Sequence, residues 1–366
     1  MLLKNLESIV ILVTMKCNCN CAHCFYFPRT DNHYPIDPDM VEDCLKSIEG
    51  HHNVKTIHFT GGEPFYYYET LLSCIERCRK LGFKSFSVST NAGWADSLSL
   101  AQERVRQLRE LGVSGIQTSA DAFHQKAVPL ERVLNVLKAG NTGMETGRYD
   151  PSTCVESTYL GYRTYDCPVN RENDKIIRKI WDAGFYVQTN VTTAHGRSSF
   201  LIPHELHINK RLDRKCWDFV LGVLHPEGPI AVLIDPDGYV DGCFGVPLGN
   251  LYKESMLSIF QRYFTNPGPI ISALHREGAL GLKRLAVERG FKAADSYYDE
   301  CHLCHMARNY LKEHCVDEFG EFLNPDACYP SIVDDNEHPF EDWSPVETEK
   351  QSQTSLSLKC FLSTRM

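Results

Sequence analysis

The segment Cys17-Asn-Cys-Asn-Cys21-Ala-His-Cys24 follows the apolar run Ser8–Thr14 near the start of the chain. Three of its cysteines, Cys17, Cys21 and Cys24, have the spacing C-x3-C-x2-C. A [4Fe–4S] cluster is normally held by four Cys thiolates. Three thiolates this close together can bind three irons and leave the fourth iron open to a substrate or a cofactor. The spacing therefore predicts an iron–sulfur cluster beside the first strand.

A zinc site is the alternative interpretation of the same segment. Structural zinc takes four ligands, and Cys19 or His23 could serve as the fourth. Cys19 lies outside the C-x3-C-x2-C spacing, so we treat it as a bystander. The spacing favours the cluster over zinc.

The composition restricts the classes of partner. The 366 residues are 43% hydrophobic, as is ordinary for a soluble globular protein, and the formal net charge of −9 argues against nucleic acid or an anionic membrane. The sequence has no run of 18 apolar residues and no signal peptide. We therefore expect its 16 cysteines in the reducing cytoplasm, where such a number indicates metal binding.

Short apolar runs alternate with amphipathic segments over the first 235 residues, as in buried parallel strands joined by helices. In the first helix, Asp37 is expected at the N-cap and Pro38 at the first position. Cys44, Cys74 and Cys78 fall on apolar helix faces and are expected to be inert core residues. The predicted strands are Ser8–Thr14, Val54–Thr60, Phe83–Ser89, Val113–Ser119, Phe185–Asn190 and Ile230–Ile234.

These elements predict an α/β fold in which a partial (β/α)6 TIM-like barrel (residues 1–235) precedes a small Cys-rich domain (236–342) and a mobile tail (343–366). Barrel chemistry is located at the carboxyl ends of the strands. Residues 141–171 are interpreted as an insertion or lid at the barrel. Two cysteines in it, Cys154 and Cys167, are weak candidates for a hydrogen-atom donor.

Polar motifs follow the predicted strands in order. The second strand is followed by Gly61-Gly62-Glu63-Pro64, where glycine lets a ligand approach the backbone and a carboxylate accepts from an ammonium group. Beyond these, the strand ends carry Ser89, Thr90, Asn91, Ser119, Asp121, Gln188, Asn190 and, after the fifth strand, Arg197.

The cysteine triplet together with these motifs resembles the radical S-adenosylmethionine (SAM) superfamily, in which SAM occupies the open iron of the cluster. The resemblance implies that the Gly61–Pro64 turn binds the methionine amino group, and that Ser89–Asn91 contacts the ribose and carboxylate of SAM. It likewise implies that Ser119 and Asp121 bind ribose hydroxyls and that Arg197 pairs with the SAM carboxylate. Gln188 and Asn190 would face the same cavity, and His124 is a weak candidate for a substrate contact.

The C-terminal third resembles the SPASM or Twitch domains that bind auxiliary [4Fe–4S] clusters. The resemblance implies one auxiliary cluster on Cys216, Cys243, Cys301 and Cys304, the last two on a turn before a helix Met306–Leu311. The full SPASM continuation is missing. Cys315 and Cys328 follow at wider spacing, and either could replace a member or help hold a second cluster. The alternative is structural zinc on Cys301 and Cys304 with one of three histidines. Those histidines are His302, His305 and His314.

The resemblance implies an enzyme that reductively cleaves SAM to a 5′-deoxyadenosyl radical and abstracts hydrogen from its substrate. Our first hypothesis is modification of a peptide or amino-acid side chain; the alternative is dehydrogenation or epimerisation of a small sugar or aminocyclitol. The chain begins almost directly with its first strand, which slightly favours the small molecule because no leader-binding domain precedes it. A flavodoxin- or ferredoxin-type electron donor is implied. A non-catalytic metal-binding protein is the distant alternative. It is disfavoured because such a protein would not need the strand-end motifs that this sequence carries.

Overall fold

One sheet organises the described part of the chain. The computed structural model describes residues 3–27, 34–141, 152–208, 212–219 and 223–329. Within these ranges, nine strands form a sheet in the order β6-β5-β4-β3-β2-β1-β7-β8-β9. The strands are β1 Ser8–Leu12, β2 Thr56–Thr60, β3 Phe86–Thr90, β4 Val113–Ser119, β5 Thr153–Tyr159, β6 Val187–Val191, β7 Ala231–Ile234, β8 Tyr239–Cys243 and β9 Val246–Asn250.

Strands β1 to β6 are parallel to their neighbours, and helices cross over between them. This arrangement confirms the partial parallel barrel, and it brings the carboxyl ends of six strands to one rim. The helices are α1 Pro38–Ser47, α2 Tyr68–Lys80, α3 Leu98–Glu110, α4 Leu130–Gly140, α5 Pro168–Asp182, α6 Cys216–Phe219, α7 Met256–Thr265, α8 Gly268–Glu277, α9 Ala279–Val287, α10 Glu300–His314 and α11 Val316–Phe319.

Helix α1 begins where its capping residues predict. The Asp37 carboxylate accepts a hydrogen bond from the Asp39 backbone N–H, and Pro38 occupies the first turn. Cys44, Cys74 and Cys78 are at most 4% exposed, which confirms them as core residues. Burial raises the pKa of the Cys44 thiol to about 12, so it stays neutral and unreactive.

Strand β5 lies inside the segment that was predicted to be an insertion or lid, and the prediction is wrong there. Val155, Ser157 and Tyr159 point into the core while the alternate residues face the barrel interior. The strand escaped prediction because its interior face is polar, so it has no continuous apolar run. The predicted fifth strand, around Phe185, is therefore the sixth, β6. Residues 142–151 lie outside the described ranges.

Strand β7 does not follow β6 around the barrel. It pairs with the other side of β1, in parallel, and then forms an antiparallel hairpin with β8 and β9. The predicted domain division after residue 235 falls in the β7–β8 turn, and the sheet runs across it. The tail predicted from residue 343 lies outside the described ranges.

Helix α10 begins earlier than predicted. It spans Glu300–His314, so Cys301 and Cys304 lie in its first turns and not on a turn before it. The Asp299 side chain caps this end by accepting from the His302 backbone N–H at 2.7 Å. Among the described helices, none is long and apolar enough to cross a membrane.

Candidate functional site

A cavity of about 720 Å³ opens at the carboxyl ends of the parallel strands. It brings the cysteine segment together with polar side chains from β2 to β6. The predicted residues that line it are Cys17, Cys21, Cys24, Gly61, Gly62, Ser89, Thr90, Asn91, Ser119, His124 and Asn190. Those that do not line it are Glu63, Pro64, Asp121, Gln188, Arg197, Cys154 and Cys167.

The thiols of Cys17, Cys21 and Cys24 share this cavity with that of Cys19. The Cys19 backbone N–H donates to Cys17 Sγ at 3.3 Å. Hydrogen bonding to Cys19 and burial raise the pKa of Cys17, and burial raises the pKa of Cys24. Thiolates at this place need a cationic partner, and the irons of a cluster supply it.

The Gly61–Pro64 turn supports the cysteine segment from the β2 side. The Gly62 N–H donates to the Thr14 carbonyl and the Glu63 N–H to the Lys16 carbonyl, both at 2.7 Å. A Cβ on Gly61 would lie 2.3 Å from Thr14 O, and one on Gly62 would lie 2.2 Å from Lys16 O. The glycines are required because the turn contacts the backbone that leads into Cys17.

The Glu63 carboxylate is engaged within the protein. It accepts from the Thr90 hydroxyl at 2.8 Å, the Asn91 N–H at 2.7 Å and the Phe65 N–H at 3.1 Å. Burial, partly offset by these bonds, raises the pKa of Glu63 to about 7. The side chain therefore ties the β2 turn to the end of β3. Pro64 begins a 3₁₀ turn and is buried.

Residues after β3 and β6 hold the same segment from two further directions. The Asn91 amide donates to Asn18 Oδ1 at 2.8 Å and to Cys17 Sγ at 3.5 Å. The Arg197 N–H donates to the Cys24 carbonyl at 3.0 Å, and its guanidinium, 4% exposed, bonds the Asn20 side chain.

Gly196, next to Arg197, has a positive φ of 54°, and a Cβ on it would lie 2.1 Å from Phe25 O. This close approach fixes the end of the cysteine segment against the loop after β6.

Asp121 forms a buried ion pair with His124. Its Oδ1 lies 2.9 Å from His124 Nδ1, and it also accepts the backbone N–H groups of Phe123 and His124. Burial opposes the imidazolium charge, but the Asp121 carboxylate outweighs burial and raises the pKa of His124 to about 9. Burial lowers the pKa of His23 to about 4. Asp121 is thus occupied in holding a cationic His124 at the cavity wall.

Sequence reasoning missed the polar floor of the cavity, which consists of His58, Gln117 and Glu156. The Glu156 carboxylate hydrogen-bonds the amides of Asn190 and Gln117, and burial raises its pKa. These residues went unnoticed because β5 was not predicted and because His58 and Gln117 lie within strands. Alternation of polar residues in strands that face a barrel interior was the signal that could have found them.

The structure gathers four C-terminal cysteines from three elements. Cys216 begins α6, Cys243 ends β8, and Cys301 and Cys304 lie in α10. Each pair of these four thiols interacts electrostatically, and burial raises the pKa of Cys243 to about 12.

The remaining candidate metal ligands of the C-terminal third differ in how close they lie to these four thiols. Cys328 is 1% exposed and interacts with Cys243, so it adjoins the group of four. Cys315 follows the end of α10, about 16 Å along the helix from Cys304. His305 is buried and its Nε2 has no hydrogen-bond partner among the described residues, whereas His302 accepts the Tyr298 N–H. His314, the third, is half exposed.

Within the described ranges, the three-ligand group whose ligand atoms all lie within 4.8 Å of one another is His23, Asp121 and His124, and it contains no cysteine.

The cysteine segment thus lies at the carboxyl rim of a partial parallel barrel, beside a polar cavity. Residues 11–146 match the family model described as the radical SAM superfamily. This part of the chain, which holds the cysteine segment and strands β2 to β4, is similar to that superfamily, whose members use a [4Fe–4S] cluster and SAM.

Two curated relatives each match part of the chain. "Putative peptide biosynthesis protein YydG" of Bacillus subtilis is 23% identical over 132 residues, 36% of this chain and 41% of that protein. The tungsten-containing aldehyde ferredoxin oxidoreductase cofactor-modifying protein of Pyrococcus furiosus is 28% identical over 160 residues, 41% of this chain and 43% of that protein. Each match thus spans less than half of the relative's length.

Among solved structures, native anSMEcpe with bound AdoMet aligns with a TM-score of 0.49 at 14% identity, covering 85% of this chain and 98% of that one.

Proposed function

We propose that this chain is a radical SAM enzyme that reductively cleaves SAM and abstracts a hydrogen atom from a peptide or amino-acid side chain. One observation carries the proposal: a single cavity contains the thiols of Cys17, Cys21 and Cys24 and polar side chains from β2 to β6. The bound cluster and SAM supply the 5′-deoxyadenosyl radical, so the protein has to bind, orient and exclude water.

The residues of the cavity have distinct proposed roles. Cys17, Cys21 and Cys24 hold the cluster, and the surrounding backbone contacts keep their segment rigid. Ser119, which lines the cavity, is proposed to contact the SAM ribose. Glu63, Asp121 and Arg197, which the resemblance assigned to SAM, act instead by fixing the loops around it, because their side chains are bonded within the protein.

The test compares anaerobically reconstituted wild type with the triple variant Cys17→Ala/Cys21→Ala/Cys24→Ala. Iron, sulfide and 5′-deoxyadenosine are measured, with low-temperature EPR of the reduced protein. We expect about eight irons in wild type and about four in the variant, with 5′-deoxyadenosine formed only by wild type. Wild type that fails to cleave SAM in an iron-dependent way would contradict the proposed function.

We propose an auxiliary [4Fe–4S] cluster on Cys216, Cys243, Cys301 and Cys304, in a Cys-rich C-terminal module of the SPASM or Twitch kind. Support comes from the mutual interaction of these four thiols and from their burial. Retention of zinc with about four irons in wild type would contradict this assignment and leave the radical chemistry intact.

The peptide substrate is supported by the name of the Bacillus subtilis relative, a peptide biosynthesis protein. A flavodoxin- or ferredoxin-type protein is the proposed electron donor, in a cytoplasmic setting that keeps the cysteines reduced.

A small hydroxylated or amino-bearing substrate is the second candidate. The linked side chains of Gln117, Glu156 and Asn190 offer both donors and acceptors in the cavity, which suits such a molecule. Turnover of candidate substrates in heavy water separates the outcomes. Deuterium gained at an otherwise unchanged carbon indicates epimerisation, whereas loss of two hydrogens indicates oxidation or cross-linking.

A further inference from the structure

Arg308, on α10, is a fully buried cation beside the four C-terminal thiols. Its exposure is 0%, and the thiols of Cys243 and Cys304 are among the groups that act on its charge. One nitrogen, Nη1, donates to the Phe244 carbonyl at 2.7 Å and to the Tyr329 hydroxyl at 3.1 Å. The other two nitrogens, Nε and Nη2, have no hydrogen-bond partner among the described residues.

The groups around Arg308 do not neutralise it. Within the described ranges it forms no ion pair with a carboxylate, and the nearby Asp241 side chain accepts the Gly245 N–H instead. Burial raises the pKa of Tyr329 and lowers that of His195 to about 3, so these two neighbours supply no negative charge. An unpaired buried guanidinium is costly, so this position calls for an anionic group.

We propose that Arg308 is the counter-cation and hydrogen-bond donor of an anionic metal centre on Cys216, Cys243, Cys301 and Cys304. This inference rests on the auxiliary cluster of the proposed function. A cluster with four thiolates is net negative and becomes more so by one charge on reduction. A fixed cation beside it therefore stabilises the reduced state and raises the reduction potential.

Arg308 also acts on the segment that connects the two cysteine sites. The carbonyl it binds belongs to Phe244, which follows Cys243 and lines the SAM cavity. The Phe244 ring lies 4.5 Å, centroid to centroid, from that of Phe25, which follows Cys24. Arg308 thus fixes the backbone next to a proposed ligand of the auxiliary cluster, and through it the position of an aromatic ring in the cavity wall. It is a positioning residue, since it does not line the cavity.

The experiment is an EPR-monitored redox titration of the full-length, reconstituted protein as wild type, Arg308→Met and Arg308→Lys. The Cys17→Ala/Cys21→Ala/Cys24→Ala variant, with and without Arg308→Met, assigns the signal of the auxiliary cluster. Arg289→Met is the matched control, because Arg289 pairs with Glu318 and is partly exposed. We expect the ratio of reduced to oxidised auxiliary cluster, at a fixed potential, to fall about tenfold to a hundredfold in Arg308→Met.

The Arg308→Lys variant keeps the positive charge, so its ratio of reduced to oxidised auxiliary cluster should stay close to that of wild type. In the Arg289→Met control the ratio should be unchanged. If Arg308→Met loses the second cluster and Arg308→Lys keeps it, this result also supports the inference, because the cluster then requires a positive charge at position 308. An unchanged ratio in Arg308→Met, or loss of the cluster in both variants, overturns the inference. Wild type without a second cluster contradicts the auxiliary-cluster assignment itself, which is a different result.

Discussion

The two cysteine sites differ in how their ligands are brought together. Cys17, Cys21 and Cys24 come from one segment, and the loops after β2, β3 and β6 hold that segment by backbone and side-chain hydrogen bonds. The C-terminal site takes its four thiols from α6, β8 and α10, so it exists only when those elements pack. A site local in sequence depends on its supporting loops, whereas an assembled site depends on the tertiary fold and on buried charge.

The largest effects are expected from single cysteine substitutions that remove one of the two sites at a time. Cys21→Ala should abolish 5′-deoxyadenosine formation, and Cys243→Ala should remove only the second cluster and leave SAM cleavage measurable. Iron content and 5′-deoxyadenosine are measured for each. Cys315→Ala is the control, because Cys315 lies beyond the end of α10, and it should change neither. Loss of iron in Cys315→Ala would show that the ligand set is wrong.

The support of the local site is tested by Gly62→Ala. A Cβ there would meet the Lys16 carbonyl at 2.2 Å, so the backbone before Cys17 must move. We expect a loss of about 1–3 kcal/mol in the free energy of unfolding and reduced iron at the first site. Gly50→Ala is the control: its positive φ is strained, but a Cβ meets nothing within 4 Å. Equal iron loss in both variants would contradict a specific role for the turn.

The cavity floor is tested by Glu156→Gln, which keeps the shape and removes the charge. We expect KM for the substrate to rise about tenfold to a hundredfold, because a charged hydrogen bond is lost. SAM cleavage without substrate should be unchanged. The control is Gln188→Ala: Gln188 is exposed, pairs with Glu156 in the β5–β6 register and does not line the cavity. Impaired substrate-free SAM cleavage in Glu156→Gln would instead assign this carboxylate to SAM binding.

The smallest effect is a pH dependence from His124. Its pKa is raised to about 9 by Asp121, so the ion pair contributes stability that is fully present below about pH 6.5 and is lost as the pH rises through 9. The difference in Tm between wild type and His124→Gln should therefore shrink between pH 6.5 and 9. A Tm difference that is constant over this range would mean that the ion pair does not form.

The sequence predicted well those elements whose signals are local. Five of the six predicted strands lie in the barrel, and Asp37 caps α1 as expected. Strand β5 was missed because its interior face, which carries Cys154, Glu156 and Thr158, is polar. An apolar run marks a strand buried on both faces, and a strand that lines a polar cavity lacks that mark.

The direction of individual side chains was less predictable. Glu63 and Asp121 were placed correctly at strand ends, and their carboxylates bond to Thr90 and His124, two residues that line the cavity. A motif fixes where a residue is along the chain, but which partner its side chain binds depends on residues from neighbouring loops.

The sequence by itself determined the cysteine spacing, the alternation of strands and helices, and the order of the strand-end motifs, because these are relations between residues close together in the chain. The resemblance read from the sequence already implied the set Cys216, Cys243, Cys301 and Cys304. Only the tertiary structure decided that Cys301 and Cys304 lie in the first turns of α10, that Cys315 lies at its far end, and that Arg308 is buried beside the four thiols. Long-range packing determines these features, because only packing between distant segments removes charged groups from water and brings distant thiols together.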